Sequence, residues 1–178
     1  NWKWVDYEFL VGSHNVEKGS DSNGYYSTDV WRGVAEKEQI KEKLWIYVKT
    51  HGRQKIGEGI ILYGEIFGEG IQKYYEYGTR EHKIKFFDIK QDGHYISVEE
   101  FNSICNELNL EKVEVLHEGK FNEEKIKSFL NRNIPNTKVP EEGVIVKSIT
   151  GDRSKIAKWI NPSYLEFQSK KEDSTDFH

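Results

Sequence analysis

The 178-residue chain has no methionine, a single cysteine and no excess of positive charge, and each shortage closes off a class of protein. One cysteine, Cys105, cannot build an internal disulfide framework; it fits a reducing compartment, so a cytoplasmic setting is expected. With 26 Lys and Arg against 30 Asp and Glu, the formal net charge of −4 leaves no global basic footprint. A polyanionic partner would therefore need a local basic groove. No apolar run nears the length needed to span a bilayer, so no membrane partner is expected. The lack of methionine, together with a chain that starts at Asn1, leads to the expectation of a fragment of a longer protein.

What is present points to a folded, soluble protein, because 31% charged and 13% aromatic residues fit neither disorder nor a membrane segment. The length suits one domain, expected over residues 1–168, with a polar and mobile tail at 169–178. The opening NWKWVDYEFLVGSHN reads as a strand or hairpin ending at His14, and residues 18–28 as a surface loop. Ile40, Leu44, Tyr47 and Val48 at helical spacing predict one amphipathic helix over residues 34–48, ended by Gly52. Ser97 and Glu100 form a capping box ahead of a helix whose Phe101, Ile104, Cys105 and Leu108 share a face, which makes Cys105 a core residue. A strand at 113–116, a helix using Ile126, Phe129 and Leu130, and a loop at 131–140 complete the middle of the chain.

Chemistry concentrates first in LYGEIFGEGIQKYYEYG, residues 62–78, where an alternating apolar strand carries Glu65 at its centre and Gly68 and Gly70 directly after it. Alternation separates Ile60, Leu62, Gly64 and Ile66 from Ile61, Tyr63, Glu65 and Phe67, so Glu65 shares a face with two aromatic rings. A buried carboxylate without partners is costly. Glu65 therefore either meets solvent on an edge strand or holds a ligand hydroxyl, a metal or a cation, and spacing leaves both open. A second strand, residues 83–89, sets Lys85, Phe87 and Ile89 on one face and Ile84, Phe86 and Asp88 on the other, so one of two adjacent phenylalanines must leave the core. In a third, Glu142 and Lys147 bracket a short strand. They point to opposite faces if it is regular, and share a site only if Gly143 bends the chain. The last strand, residues 155–160, carries Lys158 between apolar neighbours.

In order along the chain, YGEIFGEGIQKYYEYG (63–78), IKFFDIK (84–90), EEGVIVKS (141–148) and SKIAKWINPSYL (154–165) resemble the motifs of ATP-dependent RNA ligases. This group of the covalent nucleotidyltransferase superfamily includes phage RNA-repair and trypanosome RNA-editing ligases. The resemblance implies an α+β nucleotidyltransferase (ATP-grasp-like) domain, with two antiparallel sheets flanking a nucleotide cleft and helices packed outside. It implies that Glu65 accepts a ribose hydroxyl, that Phe87 stacks on adenine, and that Glu142 holds a divalent metal, Mg2+ or Mn2+. Lys147 and Lys158 then stand beside the phosphates, with Lys158 and Glu142 as the catalytic pair. His14 falls where relatives often carry an arginine near the phosphates, and either contacts the nucleotide or caps a turn.

The implied reaction starts when a lysine amine attacks the α-phosphate of ATP and pyrophosphate leaves. AMP then passes from lysine to the 5′-phosphate of an RNA, and an RNA 3′-hydroxyl displaces it to seal the strand. Positioning and charge stabilisation supply most of the acceleration in such transfers, which is why cations, a metal-holding carboxylate and an aromatic face are needed together. Alternatives are a DNA ligase, a capping nucleotidyltransferase, or a non-catalytic nucleotide- or RNA-binding relative; the GEIFGEGIQK stretch favours an RNA ligase.

Two departures from the family pattern stand out. Lys49-Thr-His-Gly52 and Lys90-Gln-Asp-Gly93 imitate the nucleophile motif, but the first closes a helix and lies too near Glu65, and the second is a hairpin turn that follows the ribose motif. The family's separation places the nucleophilic lysine upstream of Asn1. Many relatives also carry two lysines separated by one residue in the last motif, where this chain has Lys158 followed by Trp159 and Ile160, so Lys155 would supply the second charge or one lysine suffices.

Overall fold

The computed structural model describes residues 8–13, 16–17, 30–51, 59–72 and 75–173, and the chain divides into two compact units, residues 1–57 and 58–178. In the first unit, strand β1 (Gly12–Ser13) pairs antiparallel with β2 (Val16–Glu17), a hairpin as expected; His14 lies outside the described residues. Helices α1 (Val30–Lys37) and α2 (Ile40–His51) follow. The single helix expected over 34–48 is thus two. The chain turns at Gln39, whose φ of 54° lies in the left-handed region that a right-handed helix cannot contain. Helical spacing identified the buried Ile40, Tyr47 and Val48 correctly but carried no signal for this break.

The second unit holds two antiparallel sheets. One has three strands in the order β3 (Ile60–Phe67), β4 (Lys83–Gln91) and β5 (His94–Tyr95), and the other pairs β6 (Gly143–Lys147) with β7 (Ile156–Ile160). Asp92 and Gly93, both at positive φ, make the two-residue turn between β4 and β5, so the Lys90-Gln-Asp-Gly sequence is a hairpin turn as read. A cluster of buried apolar side chains comes from Phe86 and Ile89 of β4, from Phe101, Ile104 and Cys105 of α3 (Val98–Glu107), and from Leu108 and Leu110 just beyond it; Ile126, Ile134, Val139 and Tyr164 are buried further along the chain. Gly64 makes room for this core: a Cβ there would meet the Ile84 side chain at 2.9 Å and the Phe86 ring at 3.0 Å.

Three further expectations are corrected. Residues 113–116 are not a strand. The backbone touches β4 there only through an isolated parallel bridge between Phe86 and Lys112, and Val113 and Val115 stay exposed, so β-branched composition found no second face to bury. Helix α4 (Glu123–Lys127), capped by the Asn122 side chain, stops before Phe129 and Leu130, which lie in the turns that follow. The strand expected from Lys155 begins at Ile156, because Arg153–Lys155 form a 3-10 turn capped by Asp152. A last helix, α5 (Pro162–Asp173), starts at the Asn161-Pro162 pair, and the stretch from Ser169 expected as a mobile tail continues it as far as Asp173.

The capping box is present in full, with Ser97 Oγ accepting from Glu100 N–H and Glu100 Oε2 accepting from Ser97 N–H. The Ser97 backbone N–H first, and then the Ser97 hydroxyl, both donating to Glu100 Oε2, hold the Glu100 carboxyl below its usual range. Ser97→Ala should lower unfolding stability by about 1 kcal/mol. Phe86→Ala should cost about 3–5 kcal/mol, since its ring is almost fully buried. Chemical denaturation of both variants, with nucleotide absent, checks the ratio.

Candidate functional site

The alternation of β3 survives in the structure. Glu65 pairs with Lys85 and Phe67 with Lys83, while Gly64 pairs with Phe86 and Ile66 with Ile84, so Tyr63, Glu65 and Phe67 line the face opposite the core. In β4 the alternation fails. Tyr63 pairs with Asp88 and Gly64 with Phe86, which leaves Phe87 as the extra residue of a β-bulge. The sequence grouping of Asp88 with Phe86, and of Ile89 with Phe87, is therefore wrong past the bulge: Ile89 joins Phe86 in the core, and Asp88 joins Phe87 on the face of Tyr63 and Glu65. The expected division of the two phenylalanines holds, with Phe86 buried and Phe87 half-exposed, its ring centroid 6.5 Å from that of Tyr63.

The β6–β7 sheet faces this surface. Lys147 pairs with Ile156 and Ile145 with Lys158, so both lysines leave the hairpin on one side. Lys147 Nζ donates to the Phe87 carbonyl at 2.6 Å and lies 3.6 Å from Asp88 Oδ2. Arg153 holds the same Asp88 oxygen at 2.8 Å, and its guanidinium stacks 4.0 Å over the Tyr95 ring. A carboxylate only 4% exposed needs such compensation, so Asp88 and its two cations form a fixed node that joins the sheets.

At the other end of the hairpin, Glu142 accepts from Lys158 in direct contact. Gly143 makes this possible. Its φ is +155°, and a Cβ there would run into the Trp159 carbonyl oxygen, so only glycine lets β6 approach β7 with the bend that brings Glu142 to Lys158. The preceding Glu141 turns the other way, to Arg132 Nε at 3.2 Å. Glu65 completes the group. Loss of hydration first, then the like charge of Glu142, holds its carboxyl above the usual range, with Lys158 pulling it back. Tyr77 stands near enough to both acids that burial, and then the Glu65 charge, push its hydroxyl up to about 12.

The structure thus brings Glu65, Glu142 and Lys158 together at one end of the hairpin, and sets Lys147 beside Asp88 and the Phe87 backbone at the other. Lys155 belongs to a different setting, paired with Asp152 at 3.3 Å on the 3-10 turn and largely exposed. Lys49 lies on α2 with its amine 4.9 Å over the Trp45 ring, and Lys90 lies 5.8 Å over the Tyr95 ring. Sequence reading missed Asp88, Arg153 and Tyr77. Asp88 was hidden by the bulge, Arg153 sits in a polar turn without periodicity, and Tyr77 is one of several tyrosines in the β3–β4 connection. Among the described residues no three His, Cys, Asp or Glu side chains gather as a metal cage, so the acids available for a cation in this group are Glu65 and Glu142.

Because the Glu65 carboxyl is raised, its contribution to stability is fully present below the unfolded-state value and is lost as pH rises through the folded-state value. Glu65→Gln should therefore raise the thermal midpoint at neutral pH and give no advantage in acid, where Glu65 is protonated in both states. Thermal melts of the two proteins across that pH range check the sign.

Known proteins agree with this architecture. The chain is similar to solved structures of a Naegleria gruberi RNA ligase. The form with PPi has a TM-score of 0.69 at 21% identity, covering 90% of this chain and 48% of that one. A variant with AMP and Mn gives 0.68 at 21%, covering 89% and 47%. Another variant, with ATP and Mn, gives 0.67 at 21%, covering 90% and 48%. The chain thus spans about half the length of these solved proteins, and the likeness establishes the nucleotidyltransferase fold of two antiparallel sheets with helices. Comparison with curated proteins finds no match. A family model described as RNA ligase matches residues 11–160, which takes in β3 through β7 and every residue of the Glu65, Glu142 and Lys158 group: the chain belongs to the RNA ligase family.

Proposed function

We propose that this chain is the nucleotide-binding part of an ATP-dependent RNA ligase that joins RNA 5′-phosphate and 3′-hydroxyl ends through lysine-AMP and RNA-adenylate intermediates. The observation that carries the reading is the Glu142–Lys158 contact beside Glu65. A half-exposed ion pair contributes about 0–1 kcal/mol to stability, so fold stability gives little reason to crowd two acids around one lysine. Nucleotidyl transfer gives a direct one, because phosphate oxygens need a cation, and a metal shared with phosphate needs a carboxylate.

In this reading the adenine stacks on Phe87, whose half-exposed ring stands on the cleft face. Ile145, exposed on the side of the hairpin from which Lys147 reaches Phe87, offers an apolar surface for the opposite side of the purine. Glu65 accepts a ribose hydroxyl. Its raised carboxyl fits this role, since a poorly hydrated acid is relieved by a donor in contact. Lys158 turns from Glu142 to the α-phosphate when nucleotide enters, and Lys147 adds positive charge while anchoring the cleft wall at Asp88. His14, outside the described residues, is assigned to the phosphate end. The nucleophilic lysine is assigned to neither Lys49, whose amine lies over the Trp45 ring, nor Lys90, whose amine lies over the Tyr95 ring.

A divalent ion fits Glu142 with Glu65 nearby. Two oxygen donors match a hard cation such as Mg2+ or Mn2+ that completes its shell with water and phosphate oxygens. When bound, it would supply charge neutralisation at the phosphates. The solved ligase that this fold resembles is described with ATP or AMP and Mn, which supports the same pairing here.

Incubating the full-length protein with ATP and Mg2+ and weighing it intact should show the mass of one AMP as an acid-labile lysine phosphoramidate. Glu142→Ala should abolish this metal-dependent adduct while leaving the fold intact; an adduct formed at the wild-type rate would remove Glu142 from the site. Phe87→Ala should weaken ATP binding by about 1–3 kcal/mol, measured by calorimetry. A full-length protein that binds ATP yet stays unmodified would make it a non-catalytic nucleotide-binding relative, and an adduct mapped to Lys49 or Lys90 would overturn the assignment of the nucleophile.

A further inference from the structure

Asn161, between β7 and α5, is 1% exposed and is, with Asp88, one of two buried polar side chains among the described residues. Its bonds converge on one place. Its backbone N–H donates to the Glu142 carbonyl at 2.9 Å, and its side-chain Nδ2 donates to the Glu141 carbonyl at 2.9 Å. The two peptide planes that flank the Glu142 Cα are therefore both held by this one residue. Nδ2 also reaches the Arg132 carbonyl at 3.4 Å, which itself accepts from Glu141 N–H at 2.9 Å, so the whole strand entry is closed on Asn161. The remaining side-chain atom, Oδ1, accepts from Ser163 N–H at 3.0 Å and caps the first turn of α5, where Pro162 needs no donor partner.

We propose that Asn161 is a positioning residue for Glu142: it fixes the backbone on both sides of that acid and ties it to the start of α5, so that the carboxylate stays beside Lys158. The inference rests on the metal-holding role given to Glu142 above. Burial explains why an amide is used. A side chain shut off from water must satisfy its donors and its acceptor at once, and Asn161 satisfies both with backbone groups on two elements. The bend at Gly143 lets Glu142 reach Lys158, and Asn161 then keeps it from swinging with the loop at 132–141. The helix tied in by this cap is itself anchored to the β3 side, because Tyr164 Oη accepts from Gln72 Nε2 at 3.3 Å and Gln72 Oε1 accepts from Tyr77 Oη at 3.0 Å.

The test uses Asn161→Ser, which keeps an acceptor for Ser163 N–H and removes the donor to the Glu141 carbonyl. In the full-length protein with ATP present, the Mn2+ midpoint, read by the paramagnetic resonance of free Mn2+, should rise about 10–100-fold. Metal-free ATP affinity should stay near the wild-type value, a split that general loosening of the fold would not give. Added to Glu142→Gln, the same substitution should shift the midpoint no further. An unchanged midpoint in Asn161→Ser, or an equal shift in the Glu142→Gln background, overturns the proposal. If Asn161→Ser fails to fold, Asn161→Asp, nearly isosteric and still an acceptor, replaces it with the same expected outcomes. Should the wild-type protein bind neither ATP nor Mn2+, the functional reading fails separately. Amide exchange at residues 143 and 161 then decides the positioning role: faster exchange in Asn161→Ser supports it, and unchanged exchange overturns it.

Discussion

The close approach of the backbone at Gly143 to that at Trp159 is the constraint on which the cleft depends. No side chain fits between the two strands there, and the positive φ turns the chain so that the residue before the strand looks into the cleft. Without that bend, strand periodicity would send Glu142 and Lys147 to opposite faces. With it, Lys147 grips β4 at one end of the hairpin while Glu142 meets Lys158 at the other. One glycine thus separates an anchoring lysine from an available one.

The two ends of that hairpin show opposite electrostatic solutions. Asp88 is almost fully buried and matched by two cations, so it is committed to holding the sheets and is a poor partner for a ligand. Glu65 and Glu142 are half-exposed or more, and one lysine serves both. Loss of hydration first, and then the like charge of Glu142, raises the Glu65 carboxyl, and an incoming cation or hydroxyl donor relieves both. A fixed, balanced node thus stands beside an open, unbalanced one, so one end of the hairpin is held rigid while the charged groups at the other remain accessible.

Much of this was legible in the chain itself. Alternation placed Glu65 on a face with Tyr63 and Phe67, the Ser97 box announced α3 and its buried Cys105, and Asp92-Gly93 announced a hairpin. Gly143, the residue next to Glu142, marked where a bend could bring Glu142 out of strand periodicity. The order of four short motifs pointed to the RNA ligase family, to which the match over residues 11–160 assigns the chain. These signals are local: each is written in the side-chain period or in the backbone preference of a few neighbours.

What local pattern could not carry was decided by pairing between distant segments. Whether β4 places two residues against one of β3 depends on how both strands fit the core beneath, and that bulge alone moved Asp88 into the cleft and Ile89 out of it. Whether a helix breaks at Gln39, or valines at 113 and 115 find a sheet, likewise depends on surfaces far off in sequence. The sequence by itself determined which charged and aromatic side chains the strands carry and in what order. Only the tertiary structure decided which of the charged groups are consumed in holding the sheets together and which remain open, because burial and partner distance are properties of the packed chain.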